Sequence, residues 1–141
     1  MPVDIESLTS LLLQAREGVV ATIKPVLAKH ELTEQQWRVI RELSKHGELN
    51  AQRLADESDI LSPSLSRILA RFAEVGIVVR KADKNDQRAQ SIRLSAKGKR
   101  LHDKIQPHVE KQHKAMIKVV GNDKFSRLHD LLGQVSASLS E

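Results

Sequence analysis

The chain reads as mainly α-helical, with one small β-hairpin near its middle. Three observations predict this. Apolar residues recur at three- and four-residue steps over most of the length. Helix-start signals appear at Thr33, Asn50, Ser62 and Ser95. Two short β-prone runs, residues 77–81 and 91–94, flank a polar stretch from Ala82 to Gln90, the pattern of a hairpin.

Residues 5–29 predict a long first helix, with Ile5, Leu8, Leu12, Ala15, Val19, Ile23 and Leu27 on one stripe. Leu11 and Leu13 widen that stripe, and Pro25 is expected to bend or weaken the helix. The next helix starts at Leu32-Thr33-Glu34-Gln35-Gln36-Trp37. Thr33 suits the N-cap, Gln36 completes a capping box, and Leu32 and Trp37 occupy staple positions. It continues through Val39, Ile40 and Leu43 and stops near Gly47. Asn50 opens a short helix, with Leu49 and Leu54 as a second staple, and residues 59–61 form a turn.

Ser62 is expected to cap the following helix, with Pro63 at its first position, where a missing N–H costs nothing. At about 100° per residue, Leu65, Ile68, Leu69 and Phe72 share one face. Arg67, Ala70, Arg71 and Glu74 point the other way, with Ser64 and Ser66 on the flanks, and Gly76 suits the C′ position. After the hairpin, Ser95 caps a long helix through Leu101, Ile105, Val109 and Met116, with a kink expected at Pro107. Gly121-Asn122 breaks it. A last helix from about Asp123 carries Phe125, Leu128, Leu131, Leu132, Val135 and Leu139.

A short helix, a turn, a second helix and a hairpin between Asn50 and Leu94 make a winged helix-turn-helix, a module that docks one helix in the DNA major groove. The expected organisation is a single subunit over 1–141. The winged region spans 30–95, and helical dimerisation regions span 1–29 and 96–141. The terminal helices carry more apolar surface than so small a centre can cover, and twofold pairing would bury it. A twofold molecule would also set two recognition helices ~34 Å apart on a palindromic operator.

Charge agrees with this layout. The 141 residues carry a net charge of +5, yet residues 61–100 hold ten Lys/Arg against three Asp/Glu, and all other residues thirteen against fifteen. The excess positive charge therefore sits on the helix-hairpin segment, as expected of a phosphate-facing surface. Ser64, Ser66, Arg67 and Arg71 are placed to reach base edges or phosphates, and a guanine–arginine pair is worth ~1–3 kcal/mol of discrimination. Ser62 and the free N–H groups of the same helix start suit a phosphate. Lys84 and Arg88 lie on the hairpin, where Arg88 is expected to enter the minor groove. Asp86 would be repelled by phosphate, so its expected task is to pair with a cation and fix the hairpin.

Other functions are poorly supported. With no cysteine, disulfides, thiolate ligands and thiol redox sensing are excluded. No apolar run approaches the ~20 residues of a membrane span, and the N-terminus lacks a secretory pattern, so a cytoplasmic protein is expected. There is no glycine-rich phosphate loop or nucleophile elbow, so no enzyme and no cofactor are expected. Two alternatives stay open. One is a metal-responsive protein using His102, His108, His113 or His129, with Glu110 three residues before His113. The other is an architectural binder indifferent to sequence.

The chain resembles the multiple antibiotic resistance regulator (MarR) family over nearly its whole length. The resemblance is carried by the long first helix, Leu32 to Val39, Ser62 to Arg67, Asn85-Asp86-Gln87-Arg88, and Leu94-Ser95-Ala96-Lys97-Gly98. It implies a homodimeric, ligand-responsive regulator, usually a repressor, whose wing Asp and Arg match Asp86 and Arg88. Leu13 to Glu17, Leu32 to Val39 and Asn85 to Arg88 are similar to the homoprotocatechuate degradation operon regulators. That likeness implies a repressor of aromatic-acid catabolism released by a hydroxyphenylacetate-type ligand. Such a site must hold a ring and a carboxylate. Arg16, in an otherwise apolar helix, suits the carboxylate. Trp37 suits an aromatic wall, and His30 or Arg38 a further polar contact.

Overall fold

The computed structural model describes residues 1–82 and 90–140. It divides into two compact units, residues 24–107 and residues 1–23 with those from 108 onward.

Helix α1 (Ile5–Ala21) starts at Asp4, whose side chain accepts from the Ser7 N–H. The single helix expected over 5–29 is two: α1 stops at Ala21, and α2 (Lys24–Ala28) follows. Pro25 explains the break, because it has no N–H to give the Ala21 carbonyl and its ring would crowd that oxygen. The chain tightens into three-residue bonds instead, from Thr22 N to Val19 O at 3.3 Å and Ile23 N to Val20 O at 3.1 Å.

Helix α3 (Glu34–His46) begins on the expected capping box. Gln36 N donates to Thr33 Oγ1 at 3.1 Å, and Thr33 N to Gln36 Oε1 at 3.0 Å. Gly47, at φ 83°, ends it. Strand β1 (Glu48–Asn50), absent from the sequence expectations, fills the gap before α4 (Ala51–Ser58). Asn50 then caps α4 by accepting from Arg53 N at 2.8 Å. Helix α5 (Ser62–Glu74) leads into β2 (Val78–Ala82) and β3 (Gln90–Leu94). The sheet order is β1-β3-β2, all antiparallel, with Leu49 and Arg80 both opposite Ile92. The two-stranded hairpin is therefore widened on β3's far side.

The core of this unit is Trp37, Ile40, Leu43, Leu54, Leu65, Leu69, Phe72, Ile92, Leu94 and Ile105, all buried. Each large apolar side chain moved out of water contributes about 1.5–3 kcal/mol. Helix α6 (Ala96–Val120) is fixed to the sheet at its first turn, where Gly98 N donates to Ser95 Oγ at 3.0 Å. A Cβ on Gly98 would collide with the Ile77 carbonyl oxygen, so only glycine lets the helix approach the backbone just before β2 this closely.

In the other unit, α6 continues past Pro107 to Val120, and α7 (Asn122–Leu139) follows Gly121. Neither α1 nor α7 contains a buried residue. Ile5, Leu8, Leu11, Leu12 and Leu13 are exposed on α1, and Leu128, Leu131, Leu132, Val135 and Leu139 on α7. Among the described residues, no helix is long and apolar enough to cross a membrane.

Candidate nucleic-acid interface

The α4–turn–α5 segment is held from behind by α3. Asp59 closes α4 in the left-handed region at φ 53°, and Ile60 turns inward and is buried. Arg38 locks this bend. Its Nη1 donates to the Ser58 carbonyl at 2.8 Å and the Asp59 carbonyl at 3.1 Å. Its Nε lies 2.7 Å from Glu34 Oε2, with both side chains mostly buried. Arg38, expected to touch a ligand, is thus committed to the helix-turn-helix itself.

Helix α5 buries Leu65, Leu69 and Phe72 and half-buries Ile68, as the periodicity predicts. This turns Ser62, Ser66, Arg67 and Arg71 outward, with Ser64 half-buried beside them. Arg67 Nη2 lies 3.5 Å from Ser64 Oγ, and Arg71 Nη1 3.8 Å from Glu74 Oε2, both loose surface contacts that leave the guanidiniums in solvent. The expected cap differs. Ser62 is already the first helical residue, Leu61 is the N-cap, and no side chain caps the helix. Pro63 therefore sits one position further in, still within the turn whose N–H groups have no internal acceptor.

The rear end of α5 is tightly fixed. Val75 closes the helix and Gly76 follows at φ 80°. Ile77 N donates to Phe72 O at 2.8 Å and Gly76 N to Ala73 O at 3.3 Å, the paired bonds of a Schellman motif. Two residues from the start of α6 reinforce it: Ser95 Oγ donates to Gly76 O at 2.6 Å, and Lys97 Nζ to Val75 O at 2.8 Å. A cation at a helix C-terminus also complements its dipole. Sequence reasoning missed these roles of Ser95 and Lys97, because their partners belong to an element about twenty residues away.

Lys84, Asp86 and Arg88 lie outside the described residues. The strands leading to them carry Arg80, Lys81 and Arg93.

The expected ligand residues fall in both units. Arg16 is exposed on α1, in the unit with α7. Trp37 is buried in the other unit and stacks on His102, with ring centroids 5.5 Å apart and planes 8° from parallel. His30 is half-buried and lines a cleft of about 320 Å³ together with Gln36, Arg71, Phe72, Lys97 and Leu101.

Of the histidines considered for metal, two stand beside a carboxylate. His102 Nδ1 lies 3.0 Å from Asp103 Oδ1, and His129 is exposed beside Asp130. Among the described residues, the group spaced to share an ion is Glu42, His46 and Glu57. Arg41 Nη2 lies 3.3 Å from the Glu42 carboxylate and Arg53 Nη2 3.5 Å from that of Glu57, so this group is balanced as an ion-pair network joining α3 and α4.

The MarR family model matches residues 32–89. The transcriptional regulator FarR of Neisseria gonorrhoeae is 39% identical over 125 residues, 89% of this chain and 86% of that protein. The homoprotocatechuate degradative operon repressor of Escherichia coli is 36% identical over 132 residues, 94% of this chain and 89% of that one. The crystal structure of NadR in complex with 4-hydroxyphenylacetate superposes with a TM-score of 0.82 at 35% identity, covering 92% of this chain and 95% of NadR. These relatives are regulators rather than enzymes, and the chain belongs to the MarR family of winged helix-turn-helix transcriptional regulators.

Proposed function

We propose that the protein is a cytoplasmic homodimeric repressor of an aromatic-acid catabolic operon, released from a palindromic operator by a phenolic or aromatic carboxylate. The observation that carries the DNA contact is the α5 face: Ser62, Ser64, Ser66, Arg67 and Arg71 stand over the buried Leu65, Leu69 and Phe72. The helix N-terminus and Ser62 take a phosphate, Arg67 reads a base edge, and Arg71 completes the cationic side. Lys84 and Arg88 extend the contact from the wing, with Asp86 as their support.

The effector class is supported by likeness to a homoprotocatechuate operon repressor and to a regulator holding 4-hydroxyphenylacetate, each over more than nine-tenths of this chain. Arg16 is the side chain proposed for the carboxylate, Trp37 for an aromatic wall and His30 for a further polar contact. Release is a two-state effect, because an effector can only shift DNA affinity by preferring a geometry in which the two α5 helices no longer match the grooves.

The test is to titrate 4-hydroxyphenylacetate into the protein bound to the DNA upstream of its own gene. Release at concentrations that leave an unrelated repressor–operator pair intact is expected, and so is a blunted response in Arg16→Ala with DNA binding preserved. Retention of the complex at saturating ligand would overturn the effector class. Equal affinity for unrelated duplex would overturn specific operator recognition, which should exceed non-specific binding by ~10³-fold or more.

A further inference from the structure

Leu61 stands where the fold has least use for it. It is the N-cap of α5, with φ −65°, ψ 142° and no side-chain cap. At the corresponding positions of α1, α3, α4 and α6, the side chains of Asp4, Thr33, Asn50 and Ser95 each accept a backbone N–H. Leucine cannot do so. Nor does it serve the core, since its side chain is 80% exposed while the preceding Ile60 is 6% exposed. The buried Ile60, whose N–H bonds the Ala55 carbonyl at 3.1 Å, sets the extended turn so that the next side chain faces out. Two local preferences are thus broken at one residue with no gain inside the subunit, the pattern expected of a functional position.

Its neighbours identify what it meets. Leu61 directly precedes the exposed Ser62 and the Ser64–Arg67 pair on the face proposed for DNA. Residues at the start of a recognition helix approach base edges. The apolar group those edges present in the major groove is the thymine C5-methyl.

We infer that Leu61 packs on a thymine methyl in each operator half-site and makes the protein select thymine there. The inference rests on the α5 docking proposed above and adds a readout that polar contacts from Ser and Arg do not supply. Ser62 and Arg67 position the helix and read hydrogen-bonding edges, while Leu61 recognises a group without a donor or acceptor.

The experiment places deoxyuridine, which lacks only that methyl, at each thymine of the footprinted operator in turn. Affinities are measured for wild type and for full-length Leu61→Ala. At one symmetric thymine, deoxyuridine should weaken wild type about fourfold per half-site, the ratio for one buried methyl group. Leu61→Ala should bind the thymine operator correspondingly less well and be indifferent to deoxyuridine at that position. Leu61→Asn, which restores a capping side chain, should melt no lower than wild type yet show the same indifference, which separates recognition from folding. If every deoxyuridine affects wild type and Leu61→Ala equally while both still prefer operator over random duplex, the Leu61 contact is overturned and α5 docking stands. If wild type shows no preference for operator, both fail.

Discussion

At the scale of single residues, two arginines separate folding from recognition. Arg38 holds the carbonyls of Ser58 and Asp59 and pairs with Glu34 where both side chains are mostly shielded from water. Removing it leaves those groups without their cation, and hydrogen bonds to a charged group contribute about 1.5–3 kcal/mol each when partly buried. Arg38→Leu should therefore lower unfolding free energy by about 2–3 kcal/mol, seen as an earlier urea midpoint. An unmoved midpoint would mean that the clamp is idle. Arg67 is exposed, and its Nη2 makes a loose 3.5 Å contact with Ser64 Oγ, so Arg67→Ala should leave the urea midpoint unchanged. It should instead weaken operator binding by roughly 10- to 100-fold and relax the base preference at one position per half-site, the signature of a lost bidentate base contact. Uniform weakening on every sequence would identify Arg67 as a phosphate contact.

At the scale of elements, the start of α6 is the joint that sets the recognition helix. Ile77 O accepts both Ser95 N at 2.9 Å and Ser95 Oγ at 3.0 Å, and it lies where a Gly98 side chain would fall. Alanine is favoured over glycine in a helix interior by about 1 kcal/mol, so propensity alone predicts that Gly98→Ala stabilises. The collision is with backbone, which cannot swing aside, so the change should instead destabilise by about 1–3 kcal/mol. Thermal unfolding distinguishes the two by sign. Such a joint was hard to read from sequence. Ser95 was legible as a cap because a cap is a four-residue pattern, and the Thr33–Gln36 box was legible for the same reason. The second task of Ser95, binding the Gly76 carbonyl, depends on an element nineteen residues away. The strand β1 escaped notice because three residues have no period, and it exists only through its pairing with β3. Ser62 reads as the cap because serine is a strong capping residue and leucine is not, whereas the extended backbone of Leu61 and its carbonyl, which accepts from Leu65 N at 2.9 Å, make Leu61 the N-cap. The outward face of α5 was legible, since helical period alone divides Leu65, Leu69 and Phe72 from Arg67 and Arg71.

At the scale of the whole molecule, the exposed stripes of α1 and α7 are the surfaces on which the proposed pairing of two copies is tested. Leu131 is 59% exposed and Val135 51%, and with Leu128, Leu132 and Leu139 they leave a row of large apolar side chains facing water along one helix. Soluble proteins keep such contiguous surface mainly at interfaces. A second copy carries the same stripe, and twofold pairing makes it self-complementary. Wild type should therefore run at twice the 15.8 kDa chain mass in light scattering. Leu131→Glu with Val135→Glu places two charges in each copy of that surface and should yield single chains whose winged unit stays folded, since the core of residues 24–107 does not include either position. Joining two DNA-binding heads raises overall affinity by about 10²–10⁴-fold without any new contact. The double variant should lose that factor on a palindrome while matching wild type on an isolated half-site, and it should no longer answer to an effector that acts by changing the distance between heads. A variant that keeps twice the chain mass would show that α7 is not the interface, and the apolar row on α7 would then need a different occupant.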